Sequence, residues 1–136
     1  METTLFISAG NGAPAVLVAE DELLVRFAIM DSLLEEGIVV YEASSAAEAI
    51  DLLEAGPEID LVFTDIRMPG SMDGLDLAHW VHDHRPELSV ILTSGDVHRS
   101  ELADESGPFI AKPYDLQSVA SYIAALARAK KKARAH

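Results

Sequence analysis

Short unbroken apolar runs alternate along this chain with stretches whose apolar positions recur every three or four residues. Ala15 to Ala19 (AVLVA) has the continuous apolar character of a strand covered on both faces, and it ends in the acidic run Glu20-Asp21-Glu22. From Glu22 to Glu36, Leu23, Phe27, Met30 and Leu34 fall at helical spacing, and Gly37 supplies a stop. IVVYEA, ending at Ala43, reads as a second strand. Ser44 and Ser45 offer caps for a helix from Ala46 to Ala55, closed by Gly56-Pro57. LVFT, from Leu61, is a third strand, and Leu75 to His84 a helix with Pro86 just past it. SVILTS, Ser89 to Ser94, is a fourth strand. Gly95 to Gly107 is polar and poorly periodic, so any helix there is short. PFIA, Pro108 to Ala111, is a fifth strand. Asp115 then caps a helix with Leu116, Val119, Ala120, Ile123, Leu126 and Ala127 on one stripe.

Strands that alternate with helices, each strand nearly all apolar, predict an α/β fold: a doubly wound five-stranded parallel sheet with helices on both faces. In such open sheets the site lies outside the carboxyl ends of the strands. The residues at those ends are Glu20 and Asp21, Asp65, Thr93 and Ser94, and Lys112. Carboxylates gathered at one crevice repel each other unless a cation joins them, and oxygen ligands alone suit Mg²⁺, with Mn²⁺ as the alternative. Lys112 adds a second positive charge and Thr93 a hydroxyl, a set built to stabilise phosphoryl oxygens around a nucleophilic carboxylate. Asp65, at the end of an apolar strand and just before Pro69-Gly70, is the predicted phosphate acceptor.

Composition narrows the classes without changing that picture. At 136 residues the chain predicts one domain, with residues 1–13 as a loose leader, 14–128 as the folded body and 129–136 as a basic tail. The absence of cysteine excludes disulfides and thiolate metal sites. No apolar run is long enough to insert in a membrane and no secretory signal opens the chain, so the expectation is cytoplasmic. Before Arg128 there are 23 acidic against five basic residues, a balance that repels nucleic acid. The five basic residues of RAKKKARAH read as a frayed, solvated helix end. Lys112 is the only lysine before that tail, which sets it apart from a lysine-coated surface.

The sequence resembles the receiver domain of two-component response regulators from about Ala15 to Arg128. The resemblance is carried by VLVAEDE, LVFTDIRMPGSMDG, VILTSG and FIAKPY in that order. It implies the flavodoxin-like receiver fold, with Asp65 as phosphoacceptor and Asp21 binding Mg²⁺ directly. Glu20 would act through water, and the backbone carbonyl of Arg67 would be a further ligand. It implies that Thr93 moves to the phosphoryl group, that Lys112 bridges acceptor and phosphate, and that Phe109 is an aromatic switch residue coupled to Thr93. Lys112–Pro113 would be cis. The implied partner is a histidine kinase or histidine phosphotransfer protein that donates from phosphohistidine. No output domain follows the last helix, so the signal would leave by protein contacts from a monomer or weak homodimer, or the chain would act as a phosphorelay intermediate or phosphate sink.

Two departures stand out: Ser71 is an extra residue in the loop after Asp65, and the stretch between Thr93 and Lys112 implies a shortened fourth helix. A Mg²⁺-dependent aspartyl-phosphate phosphatase is the rival from another class. It would want a second carboxylate two positions after the nucleophile, where Arg67 stands, so no turnover enzyme is expected. A receiver-like interaction module that takes no phosphate is disfavoured by the joint presence of Glu20, Asp21, Asp65, Thr93 and Lys112. His79 and His82 sit at helical spacing, but with no assured third ligand they read as surface.

Overall fold

The computed structural model describes residues 12–96 and 107–134. Its strands are β1 (Ala15–Ala19), β2 (Val39–Ala43), β3 (Leu61–Asp65), β4 (Ser89–Ser94) and β5 (Phe109–Ala111). Its helices are α1 (Leu23–Glu35), α2 (Ala46–Glu54), α3 (Gly74–His84) and α4 (Leu116–Arg134), numbered over the described residues. The leader and the expected shortened helix fall largely in residues 1–11 and 97–106, outside the described residues.

All strand pairs are parallel, and the order is β2-β1-β3-β4-β5. Alternate residues of each strand serve opposite faces, as the two-residue period demands. Leu17, Ala19, Val62, Val90 and Leu92 meet α2 and α3 on one side, while Val16, Val18, Leu61, Phe63 and Ile91 meet α1 and α4 on the other. Both faces of β1 and β3 are therefore buried, which is why these strands carry no apolar–polar alternation. The order reverses direction between β1 and β3, and the crevice for a ligand opens at their carboxyl ends.

Local chemistry sets the helix starts. Ser45 Oγ accepts the N–H of Glu48, and the Glu48 carboxylate in turn accepts from Ser44 N–H at 2.8 Å. At α3, Asp73 and Asp76 form a reciprocal capping box, with both bonds at 2.9 Å. Asp115 accepts from the Ser118 hydroxyl and the Ser118 N–H at the head of α4, and those bonds hold its exposed carboxyl below the ordinary range.

Two expectations change in detail. In α1 the buried positions are Ile29, Met30 and Leu33, whereas Leu23 and Phe27 are each about half exposed. LLVRFAIM is apolar nearly all round, so spacing alone cannot choose the face. The basic end of the chain is helical through Arg134, not frayed from Arg128. Arg134 Nη1 lies 2.7 Å from the buried Asp60 and Nη2 lies 3.0 Å from Glu58, so the last turn is anchored to the body.

Candidate functional site

β1 delivers Glu20 and Asp21, β3 ends on Asp65, β4 ends on Thr93 and Ser94, and β5 leads into Lys112. The parallel register puts Asp65 beside Thr93 and Thr93 beside Ile110, so these ends lie level along one edge. Carboxylate oxygens of Glu20, Asp21 and Asp65 all fall within 4.8 Å of one another. Lys112 Nζ donates to Glu20 Oε1 and to Asp65 Oδ2, both at 2.8 Å. The peptide between Lys112 and Pro113 is cis, as the resemblance implies.

Residues adjacent in sequence divide sharply here. Glu20 is only 4% exposed, whereas Asp21 is open to solvent. Burial pushes the Glu20 carboxyl up, against the bonds from Lys112 and from the Glu22 N–H that favour its charged form. Burial alone would lower Lys112, but its bonds to Asp65 and Glu20 outweigh this and hold the ammonium well above the ordinary lysine range. One ammonium thus stands against three carboxylates.

Asp65 is 6% exposed; its Oδ1 accepts from the Arg67 N–H at 3.1 Å. The loop behind it needs glycine. A Cβ on Gly74 would lie 2.1 Å from the Asp65 carbonyl oxygen, and Gly74 N–H donates to the Ile66 carbonyl at 2.7 Å. The cleft over these groups has a volume of about 770 Å³ and is lined by Asp21, Asp65, Arg67, Met68, Ser94 and Lys112 among others.

Thr93 sits at the predicted strand end, but its hydroxyl donates to the Ile110 carbonyl at 2.7 Å, away from the carboxylates. Phe109 is partly buried against the α2–α3 side of the core and pairs in register with Leu92. Arg26 was not singled out by sequence, yet its guanidinium reaches the Glu20 carbonyl at 2.8 Å. Its acceptor is a backbone oxygen, which no side-chain pattern announces. His79 and His82 lie on α3, and among the described residues the carboxylate trio is the only cluster spaced to hold a metal ion.

This chain belongs to the response regulator receiver domains; the family's pattern matches residues 16–124. Receiver domains are phosphoacceptor signalling domains. The sensor kinase CckA of Brucella abortus is 34% identical over 118 residues, which cover 83% of this chain and 12% of the kinase. The transcriptional regulatory protein PdtaR of Mycobacterium tuberculosis is 35% identical over 108 residues, covering 76% of this chain and 52% of that protein. The chain therefore spans about half or less of these relatives. Among solved structures, a receiver domain protein from Clostridium thermocellum matches with TM-score 0.76 and 28% identity, covering 88% of this chain and 98% of that one. The response regulator TrrA of Thermotoga maritima, in complex with Mg²⁺-BeF, matches with TM-score 0.75 and 27% identity, covering 83% and 98%. The sequence-derived fold class and family agree with these findings. Among the described residues no helix is long and apolar enough to cross a membrane.

Proposed function

We propose that this chain accepts a phosphoryl group from a phosphohistidine donor onto Asp65, in a Mg²⁺-dependent reaction, and signals by contact with other proteins. The observation that carries the reading is the shared ammonium: Lys112 bonds Glu20 and Asp65 at once, at the mouth of a cleft that also holds Asp21. Three hard oxygen donors with one counter-charge leave a deficit that a divalent cation fills, and the Mg²⁺-BeF complex of the similar TrrA supports that choice. Glu20, Asp21, Asp65 and the Arg67 carbonyl would hold the ion. When bound, it supplies charge neutralisation for the phosphoryl oxygens and for the carboxylates that surround them.

The chain's own groups do the rest. An Asp65 oxygen attacks phosphorus in line, the P–N bond of the donor breaks, and the electron pair stays with the leaving imidazole. Lys112 is already within bonding distance of Asp65 and follows the charge onto the phosphoryl oxygens. Thr93 leaves the Ile110 carbonyl to donate to the same group, which frees a backbone acceptor on β5 beside Phe109. That exchange couples phosphate to the β4–β5 edge and is the proposed switch. With Arg67 two positions after Asp65, where an acid–base carboxylate would be needed, slow self-hydrolysis rather than turnover of small substrates is the reading.

The test is intact mass after incubation with acetyl phosphate. The expected result is one added phosphoryl group with Mg²⁺, none with EDTA, and none in Asp65→Asn under either condition. Labelling of Asp65→Asn to the wild-type extent would sink the assignment. A kinase or phosphotransfer protein as donor is then tested by transfer from a phosphohistidine protein in place of acetyl phosphate.

A further inference from the structure

The loop between β1 and α1 carries two of the three carboxylates, and a side chain outside the trio holds its backbone. Arg26, near the start of α1, is mostly buried, with 12% of its side chain exposed. Its Nη1 donates to the Glu20 carbonyl at 2.8 Å, and its Nε donates to Glu42 Oε1 on β2 at 2.9 Å. The Glu20 carbonyl and the Asp21 N–H belong to one planar peptide unit. A bond to that carbonyl therefore orients the plane from which Asp21 departs. Glu20 N–H donates to the Ala43 carbonyl at 3.0 Å, so the same residue is tied to β2 on its other side as well. Asp21, the exposed member, follows directly on this pinned peptide.

We propose that Arg26 is a positioning residue for the metal site, aiming the Asp21 carboxylate through the Glu20–Asp21 peptide. The inference rests on the reading of Glu20, Asp21 and Asp65 as a Mg²⁺ site. Glu42 is part of the device: it neutralises the guanidinium, so a cation placed to steer a metal ligand does not repel the metal. The two effects of Arg26 on Mg²⁺ have opposite signs. Removing its charge alone tightens cation binding, and releasing the Glu20 carbonyl loosens it. The direction of the change therefore identifies the role.

Calorimetric titration of the full chain with MgCl₂ decides it, using wild type, Arg26→Met/Glu42→Gln and Arg26→Lys, with melting in EDTA recorded in parallel. The double variant keeps the net charge unchanged, and its Kd is expected to rise about tenfold, in the range typical of lost support behind a metal ligand. Lysine has one ammonium to share between Glu42 and the Glu20 carbonyl, so Arg26→Lys is expected to weaken Mg²⁺ by about threefold while melting close to wild type. A Kd within twofold of wild type in the folded variants overturns the inference, and a lower melting point with unchanged Kd assigns Arg26 a merely structural part. If the double variant does not fold, an unchanged Kd in Arg26→Lys is the overturning result. A wild type that takes up no Mg²⁺ ends the site reading itself, whereas a wild type that binds alongside variants that bind equally ends only the Arg26 inference.

Discussion

β3 is bracketed by two buried aspartates, Asp60 just before it and Asp65 at its end, and each is paired with a cation from the C-terminal part of the chain. Asp60 is 3% exposed; one oxygen accepts the Ala15 N–H at 2.8 Å and the other lies 2.7 Å from Arg134, off the ideal hydrogen-bond direction. Asp65 is 6% exposed and meets Lys112 and the Arg67 N–H. Burial and a paired cation are common to both, so neither marks function. The difference lies in company and access. Asp60 faces a single guanidinium that closes over it, whereas Asp65 shares its cation with Glu20, stands near Asp21, and opens on the larger cleft. A carboxylate whose charge is balanced within the fold ties elements together; one left in deficit is available to a ligand.

The largest effect should come from breaking the closed pair. Asp60→Ala removes the acceptor of a buried N–H and takes from Arg134 its buried counter-charge, leaving it the exposed Glu58 and the Ile59 carbonyl, and it is expected to cost about 3 kcal/mol in urea unfolding. Asp65→Ala, by contrast, removes a repelling charge together with two bonds, from Lys112 and from the Arg67 N–H; Lys112 keeps Glu20, and the metal-free cost should be under about 1 kcal/mol. Equal losses at the two sites would erase the distinction drawn between them.

Removing the cations instead of the acids gives effects smaller than that of Asp60→Ala, and Mg²⁺ separates them. Lys112→Met leaves Glu20 and Asp65 facing each other and should cost about 2 kcal/mol without metal, a figure moderated by the 20% exposure of the lysine side chain. Millimolar Mg²⁺ should recover most of that loss, because it binds only the folded cluster. Arg134→Met should cost about 1 kcal/mol, being more exposed, and Mg²⁺ should leave that cost unchanged. Recovery of both variants by Mg²⁺ would place metal at the wrong end of the sheet.

Sequence made the open site legible and hid the closed one, for a physical reason. AVLVA and SVILTS coincide with β1 and β4 because a strand buried on both faces has to be apolar throughout, and the carboxyl-end rule then gathers Glu20, Asp21, Asp65 and Lys112 without further assumption. The family motifs added the cis peptide after Lys112. Nothing comparable announces Asp60 or Arg134. Each is one charge among many, and their pairing depends on the length of α4, which the basic composition of its last turn disguises as a tail. Arg26 escaped because its link to the site ends on a backbone carbonyl, and the α1 face because, Arg26 apart, its first two turns are apolar nearly all round. Sequence also treated Glu20 and Asp21 as a pair, while the fold buries one and exposes the other.

The smallest predicted effect uses Tyr114 as a reporter of which aspartate charges the cleft end. Its ring is partly buried and meets Phe63 edge-on, with centroids 6.1 Å apart. Burial pushes its hydroxyl up, Lys112 draws it down, and Glu20 and Asp65 push it further up. A folded-state pKa raised above the unfolded value contributes stability that is complete below about pH 10 and is lost as pH rises through the folded value. Alkaline titration followed by tyrosinate absorbance, with Tyr114→Phe to isolate its share, should therefore show late ionisation coupled to loss of stability. Asp65→Asn removes a raising charge and should bring the transition to lower pH; Asp60→Asn, at the far end of β3, should leave it in place. A shift of equal size in both variants would mean that Tyr114 senses general loosening of the fold, and the contrast between a balanced carboxylate and one in deficit would lose its spectroscopic support.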